Sequence, residues 1–306
     1  MSVAFVFPGQ GSQSVGMMNA FADVDVVKAT FAEASEVLGF DVWQLVNDGP
    51  QESLNATVNT QPVMLTADVA IYRAWLAQGG AKPAFVAGHS LGEYAALVAA
   101  EVLSFADALK LVKLRAEAMQ AAVPEGVGAM AAILGLDDAV LQAACDEAAQ
   151  GEVVAAVNYN SAGQTVIAGH KAAVERTCEL AKAKGAKRAL LLPVSVPSHC
   201  ELMKPAAEKL NEALSKLSIS APTIEVIHNV DVAAHSDAAE IANALVEQLY
   251  KPVRWVETVQ ALHSKGATVI AECGPGKVLL GLNKRIASEA KHIAFIDPAQ
   301  FAELAN

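Results

Sequence analysis

The stretch FVAGHSLGEYAALVAA, residues 85–100, breaks an apolar run with Gly-His-Ser-Leu-Gly and then resumes in alanine and leucine. Phe85, Val86 and Ala87 read as the end of a buried strand and Tyr94 to Ala100 as a helix, which puts Ser90 at the junction. A serine there has two possible jobs. With Glu93 three residues on, Ser90 fits a capping box, its oxygen accepting from the N3 amide while the glutamate reaches back to the cap. With Gly88 and Gly92 beside it, Ser90 also fits G-x-S-x-G, in which small neighbours permit the tight strand-to-helix turn that projects a nucleophilic hydroxyl from the end of a sheet. A cap needs only the serine and the glutamate, so the paired glycines favour the nucleophile.

Working outward, strand-like and helix-like segments alternate, which predicts an α/β fold with a mainly parallel sheet. VAFVFP opens as a strand, NTQPVMLTADVAIYRAWLAQGG follows as a helix with Pro62 in its first turn, and SFADALKLVKLRAEAMQAAV reads as a long helix capped by Ser104. From Gly126 the order becomes β-α-β-β-α-β, the pattern of a ferredoxin-like unit. The expected organisation is a large hydrolase-like domain over residues 1–124 and 196–306, with a nucleophile elbow, and a small inserted ferredoxin-like subdomain over 125–195. SHCELMKPAAEKLNEAL then reads as a helix, TIEVIHNV as a strand, and ATVIAECGPGKVLLGLNKRI as strand, turn and helix.

A chain of 306 residues with 53% hydrophobic content can bury a substantial core. No apolar run reaches membrane-spanning length without interruption, and the N-terminus has no basic leader, so a soluble cytoplasmic protein is expected. The four cysteines form no C-x-x-C pair, which fits a reducing compartment and no structural zinc. A net charge of -11 opposes general nucleic-acid binding. The densest basic patches are Lys182, Lys184, Lys187 and Arg188, and then Lys284 and Arg285; a solvated face is their plain explanation. No heptad or apolar stripe calls for a dimer, and a monomer is expected.

A serine nucleophile needs a general base. Of seven histidines, His89 lies inside the elbow and should point away, while His170, His235, His263 and His292 sit in polar turn-like or helix-like segments. His199 and His228 both fall where a strand meets a loop, the place where parallel α/β folds gather their sites, and pattern alone does not separate them. FPGQGSQ after the first strand supplies glycines on both sides of Gln10, which would let its amide approach a ligand closely.

FPGQGSQ, GHSLGEYAAL, the following helix with Arg115, VPSH at 196–199, HNVD at 228–231, QLYKPVRW at 248–255 and ECGPGKVL at 272–279 together resemble the malonyl-CoA:acyl carrier protein transacylases of bacterial type II fatty acid synthesis. The resemblance covers nearly the full length. It implies Ser90 as nucleophile, His199 as base, the amides of Gln10 and Leu91 as oxyanion hole, and Arg115 as receptor of the malonyl carboxylate. It also implies that the backbone carbonyl of Gln248 orients His199 and that Gln61, Asn160 and Ser198 line the acyl pocket. Malonyl-CoA is then the substrate and the phosphopantetheine thiol of acyl carrier protein the acceptor, with no permanently bound cofactor and no metal. The acceptor is expected to be acidic, which makes the two basic patches docking candidates. A serine esterase or thioesterase, a malonyl transferase serving a polyketide carrier, and a non-catalytic interaction subunit are the competing expectations.

Overall fold

The computed structural model describes residues 2–194 and 196–305. The boundaries drawn from the sequence at residues 1, 195 and 306 fall outside that set. Nine strands run through the described residues: β1 (Val3–Phe7), β2 (Phe85–Gly88), β3 (Gly128–Leu134), β4 (Val154–Ser161), β5 (Gln164–His170), β6 (Arg188–Leu191), β7 (Glu225–Ile227), β8 (Val269–Glu272) and β9 (Lys291–Ala294). Five form a wholly parallel sheet in the order β7-β2-β1-β8-β9. The central strand, Val-Ala-Phe-Val-Phe, is apolar at every position because both of its faces are covered. Alternation sends Phe5 and Phe7 into one core cluster with Trp75 and Phe295, and Ala4 and Val6 into another with Trp255, Ile270 and Leu279.

The helix Thr57–Ala77 is buried over most of its length. It starts earlier than the sequence suggests, so Pro62 stands in its second turn rather than its first. Ser104 does cap the helix Phe105–Ala122, accepting from the Asp107 amide. Helices Asp25–Leu38, Val42–Asp48 and Gln51–Asn55 and the edge strand β9 add to the elements read from the sequence.

The remaining strands form an antiparallel sheet in the order β4-β5-β3-β6, the arrangement of a ferredoxin-like unit. Its two helices, Asp138–Ala149 and Lys171–Ala183, cover one face through Leu141, Cys145, Val174 and Cys178. The opposite face carries Met130, Val166 and Ala168 with Cys200. The Val253 amide donates to the Val157 carbonyl at 2.8 Å and the Tyr159 amide to the Val253 carbonyl at 3.1 Å, tying β4 to the main fold. The segment read as one helix from Ser198 differs: a 3₁₀ turn, Glu201–Met203, precedes a helix over Lys204–Leu214 with Pro205 in its first turn. The cause is His199, whose φ of 66° is incompatible with a helix.

Register positions the site. Phe7 pairs with Gly88 and Ala87 with Ile227, so the loops after β1, β2 and β7 leave the same end of the sheet. That end is the carboxyl one, where open parallel sheets hold their ligands.

Candidate active site

The elbow is closed by backbone-to-backbone contact. A Cβ on Gly88 would run into the Gly92 backbone and one on Gly92 into the Phe7 carbonyl, so neither position tolerates a side chain. Ser90 itself takes φ of 52°, a strained value for a residue with a side chain. The Ser90 amide donates to Asn229 Oδ1 at 2.8 Å and Asn229 Nδ2 donates to the Gly88 carbonyl at 2.6 Å, so one side chain from the loop after β7 holds both ends of the turn. The capping box does not form: the helix Gly92–Ala99 begins without a side-chain cap. Glu93 instead turns inward, accepting from His228 Nδ1 at 2.7 Å and from the Asn229 amide at 3.0 Å.

That contact commits His228 to Glu93. His199 is the histidine at the serine, with Ser90 Oγ 2.7 Å from its Nε2. Its Nδ1–H donates to the Gln248 carbonyl at 2.6 Å, and its amide donates to the Leu249 carbonyl at 3.1 Å. With Nδ1 protonated, Nε2 is left to accept the serine proton. Burial, and then the neighbouring Arg115 charge, pull the imidazole pKa down to about 3, so the ring is neutral around pH 7.

Arg115 lies beneath the pair, 1% exposed, with Nη1 donating to Gln61 Oε1 at 2.6 Å and Nη2 to Gln248 Oε1 at 3.0 Å and Ser90 Oγ at 3.3 Å. Its guanidinium faces the Tyr94 ring, 5.5 Å from the centroid. Burial lowers its pKa, with Tyr94 and Glu93 acting in the opposite direction. No carboxylate among the described residues forms an ion pair with it, and its buried Nε has no partner. Such an arrangement suits an incoming anion. Gln61, expected in the acyl pocket, is 1% exposed and spends its amide on Arg115 and on Met119 Sδ, so it supports the guanidinium rather than lining the open cleft.

A cleft of about 570 Å³ opens above Ser90 between the two sheets, lined among others by Gln10, Asn160, Val194, Ser198 and Leu279. Gln10 and Ser198 therefore border the same space as Ser90 and His199. Gln10 is anchored by its side chain to Thr57 Oγ1 at 3.2 Å. Asn160 accepts from His89 Nε2 at 2.8 Å. His89, although inside the elbow, also lines the cleft, with its ring 5.3 Å from that of Trp255. Of the basic residues, Lys182 pairs with Glu179 and Lys184 with Glu147. Lys187 packs against Gly135, Arg188 is exposed on β6, and Lys284 and Arg285 end the cleft-lining helix Val278–Ile286. No group of three or more His, Cys, Asp or Glu among the described residues could hold a metal ion.

Sequence reasoning missed Asn229, Glu93 as an inward-facing carboxylate, and the Gln248 side chain. The HNVD and QLYKPVRW segments were visible, but spacing carries no sign of which polar atoms meet beneath an elbow.

A family model described as acyl transferase domain matches residues 4–296. The malonyl CoA-acyl carrier protein transacylase of Salmonella typhimurium is 58% identical over 297 residues, covering 97% of this chain and 96% of its own. The crystal structure of an acyl-carrier-protein S-malonyltransferase from Burkholderia pseudomallei has a TM-score of 0.98 at 60% identity, covering 99% of each chain. A malonyl-transacylase solved in complex with a type II PKS acyl-carrier protein has a TM-score of 0.97 at 53% identity, covering 99% of this chain and 98% of its own. The chain belongs to the acyl transferase domain family, and within it to the malonyl CoA-acyl carrier protein transacylases.

Proposed function

We propose that the protein moves a malonyl group from malonyl-CoA to the phosphopantetheine thiol of an acyl carrier protein through malonyl-Ser90, supplying malonyl carrier for fatty acid elongation. The observation that carries this reading is the buried Arg115 guanidinium, held by neutral acceptors and 3.3 Å from the Ser90 hydroxyl. A nucleophile beside an unneutralised cation suits an acyl group that itself ends in a carboxylate. A substrate without the carboxylate would leave that cation unpaired, at a cost on the order of 2 to 5 kcal/mol.

Ser90 Oγ attacks the thioester carbonyl while His199 Nε2 takes its proton, and the Gln10 and Leu91 amides stabilise the oxyanion. Collapse expels the CoA thiolate, which receives the proton from His199. The carrier thiol then attacks the malonyl ester, giving its proton to His199, and that proton returns to Ser90 Oγ as the ester breaks. The Gln248 carbonyl keeps the imidazole in the tautomer this sequence requires, Asn160 and Ser198 shape the acyl site, and Gln61 acts on it through Arg115. Residues 1–124 and 196–306 would form the catalytic domain and 125–195 the inserted one, in a monomer that works in the cytoplasm without a permanent cofactor.

Intact-protein mass spectrometry tests the reading. Malonyl-CoA should add one malonyl group to the wild type and none to Ser90→Ala, and holo carrier protein should remove it with transfer to the carrier. Loss of the adduct to water at the same rate with or without carrier would point to a thioesterase instead. The likeness to a transacylase bound to a type II PKS carrier favours running the second step with fatty acid and polyketide carriers side by side.

A further inference from the structure

Glu93 and Arg115 are both buried, 0% and 1% exposed, and both reach the underside of the elbow, yet no ion pair joins them. The Gln248 amide stands between them. Its Nε2 donates to Glu93 Oε2 and to the Ser90 carbonyl, each at 3.0 Å, and its Oε1 accepts from Arg115 Nη2 at 3.0 Å. The orientation is forced, because a guanidinium only donates and a carboxylate only accepts. Gln248 is itself fully buried. Opposite charges in a poorly polarisable interior attract strongly, and a bidentate Arg115–Glu93 pair would occupy the guanidinium fork that the substrate carboxylate needs.

We propose that the Gln248 side chain is a spacer that keeps Arg115 from pairing with Glu93 and thereby leaves the guanidinium, held only by neutral acceptors, to be neutralised by the acyl carboxylate. This positioning role is separate from that of the Gln248 backbone carbonyl, which any substitution retains, and it rests on the malonyl reading of the site. The spacer sets specificity without touching substrate: it keeps an internal carboxylate from competing with the external one. Arg115 Nη2 and Glu93 Oε2 each lie 3.0 Å from the same amide group, so one side chain is all that separates them and a change there can close the gap.

The test measures kcat and KM for acylation by malonyl-CoA and by acetyl-CoA in the wild type, Gln248→Met, Gln248→Glu and Gln248→Met/Glu93→Gln. Gln248→Glu brings a carboxylate onto Arg115, and Gln248→Met lets Glu93 reach it. In both, KM for malonyl-CoA should rise by roughly tenfold or more, with kcat less affected, and the preference for malonyl over acetyl should shrink accordingly. Removing the Glu93 charge in the double variant should restore preference to Gln248→Met. Should the methionine variant prove unstable, Gln248→Leu with and without Glu93→Gln makes the same comparison. Equal losses on both acyl-CoAs, or a double variant with preference no better than Gln248→Met, would mean a structural role and overturn the proposal. A wild type that forms no malonyl-Ser90 would instead remove the functional reading itself.

Discussion

His199 is held neutral between a serine hydroxyl and a carbonyl, and next to burial the charge of Arg115, which the proposed function assigns to the acyl carboxylate, bears on its basicity. Arg115 lowers the imidazole pKa after burial has done so. A malonyl carboxylate seated on the guanidinium would cancel that charge, making the base stronger when the correct acyl group is present. Replacing Arg115 by methionine removes the depressing charge, so the His199 pKa should rise toward its ordinary value. The imidazole is competent only above its pKa, so the acid limb of kcat/KM for acetyl-CoA, a substrate that does not use the fork, should move to higher pH in Arg115→Met. Profiles of the two proteins that coincide on the acid side would contradict the coupling.

At the scale of elements, the helix Val278–Ile286 begins over a buried carboxylate. Glu272, at the end of β8, accepts from the Leu279 amide at 3.2 Å and the Leu280 amide at 2.7 Å. A helix N-terminus favours negative charge, but burial dominates and pushes the Glu272 pKa from 4.5 to about 7 despite those two bonds. The folded state thus binds a proton that the unfolded chain releases at lower pH. The stability this contributes is full below about pH 4.5 and is lost as pH rises through about 7. Glu272→Gln, which retains one acceptor for the helix amides, should make the fall of Tm between about pH 5 and 8 shallower than in the wild type. Thermal melts across that window decide it, and an unchanged slope would show that the proton is not held there. Asp68, fully buried with both carboxylate oxygens unpartnered, is likewise raised by burial and by Glu272.

For the molecule as a whole, the cleft lies between a parallel and an antiparallel sheet, on a chain of net charge -11. Lys182 and Lys184 already face glutamates, whereas Lys284 and Arg285 stand exposed on the helix whose Val278, Leu279 and Leu282 line the cleft. Lys284→Glu with Arg285→Glu should therefore weaken transfer to an acidic carrier, raising its KM on the order of tenfold, more than the same reversal at Lys182 and Lys184. Formation of malonyl-Ser90 should be unaffected, and added salt should weaken only the second half-reaction. Stopped-flow measurement of the two half-reactions separates these outcomes; equal loss in both would exclude a docking role.

Local chemistry was legible in the chain by itself. The glycines of GHSLG announce a turn too tight for side chains, the strand and helix alternation announces a parallel sheet, and the β-α-β-β-α-β order from Gly126 announces the second sheet. These are signals between residues close in sequence, where backbone geometry translates directly into residue type. The bonds that complete the site join residues far apart: Ser90 to His199 across 109 positions, Gln248 to Glu93 across 155, Asn229 to Gly88 across 141. From residues alone His199 and His228 were equivalent, because both follow a strand. The family resemblance chose His199, and the fold supplies the reason by turning His199 through a left-handed φ onto Ser90 and spending His228 on Glu93. Tertiary packing likewise took Glu93 out of the capping box that the sequence allowed and made it a buried carboxylate, since a carboxylate bonds to whichever donors the chain brings within reach.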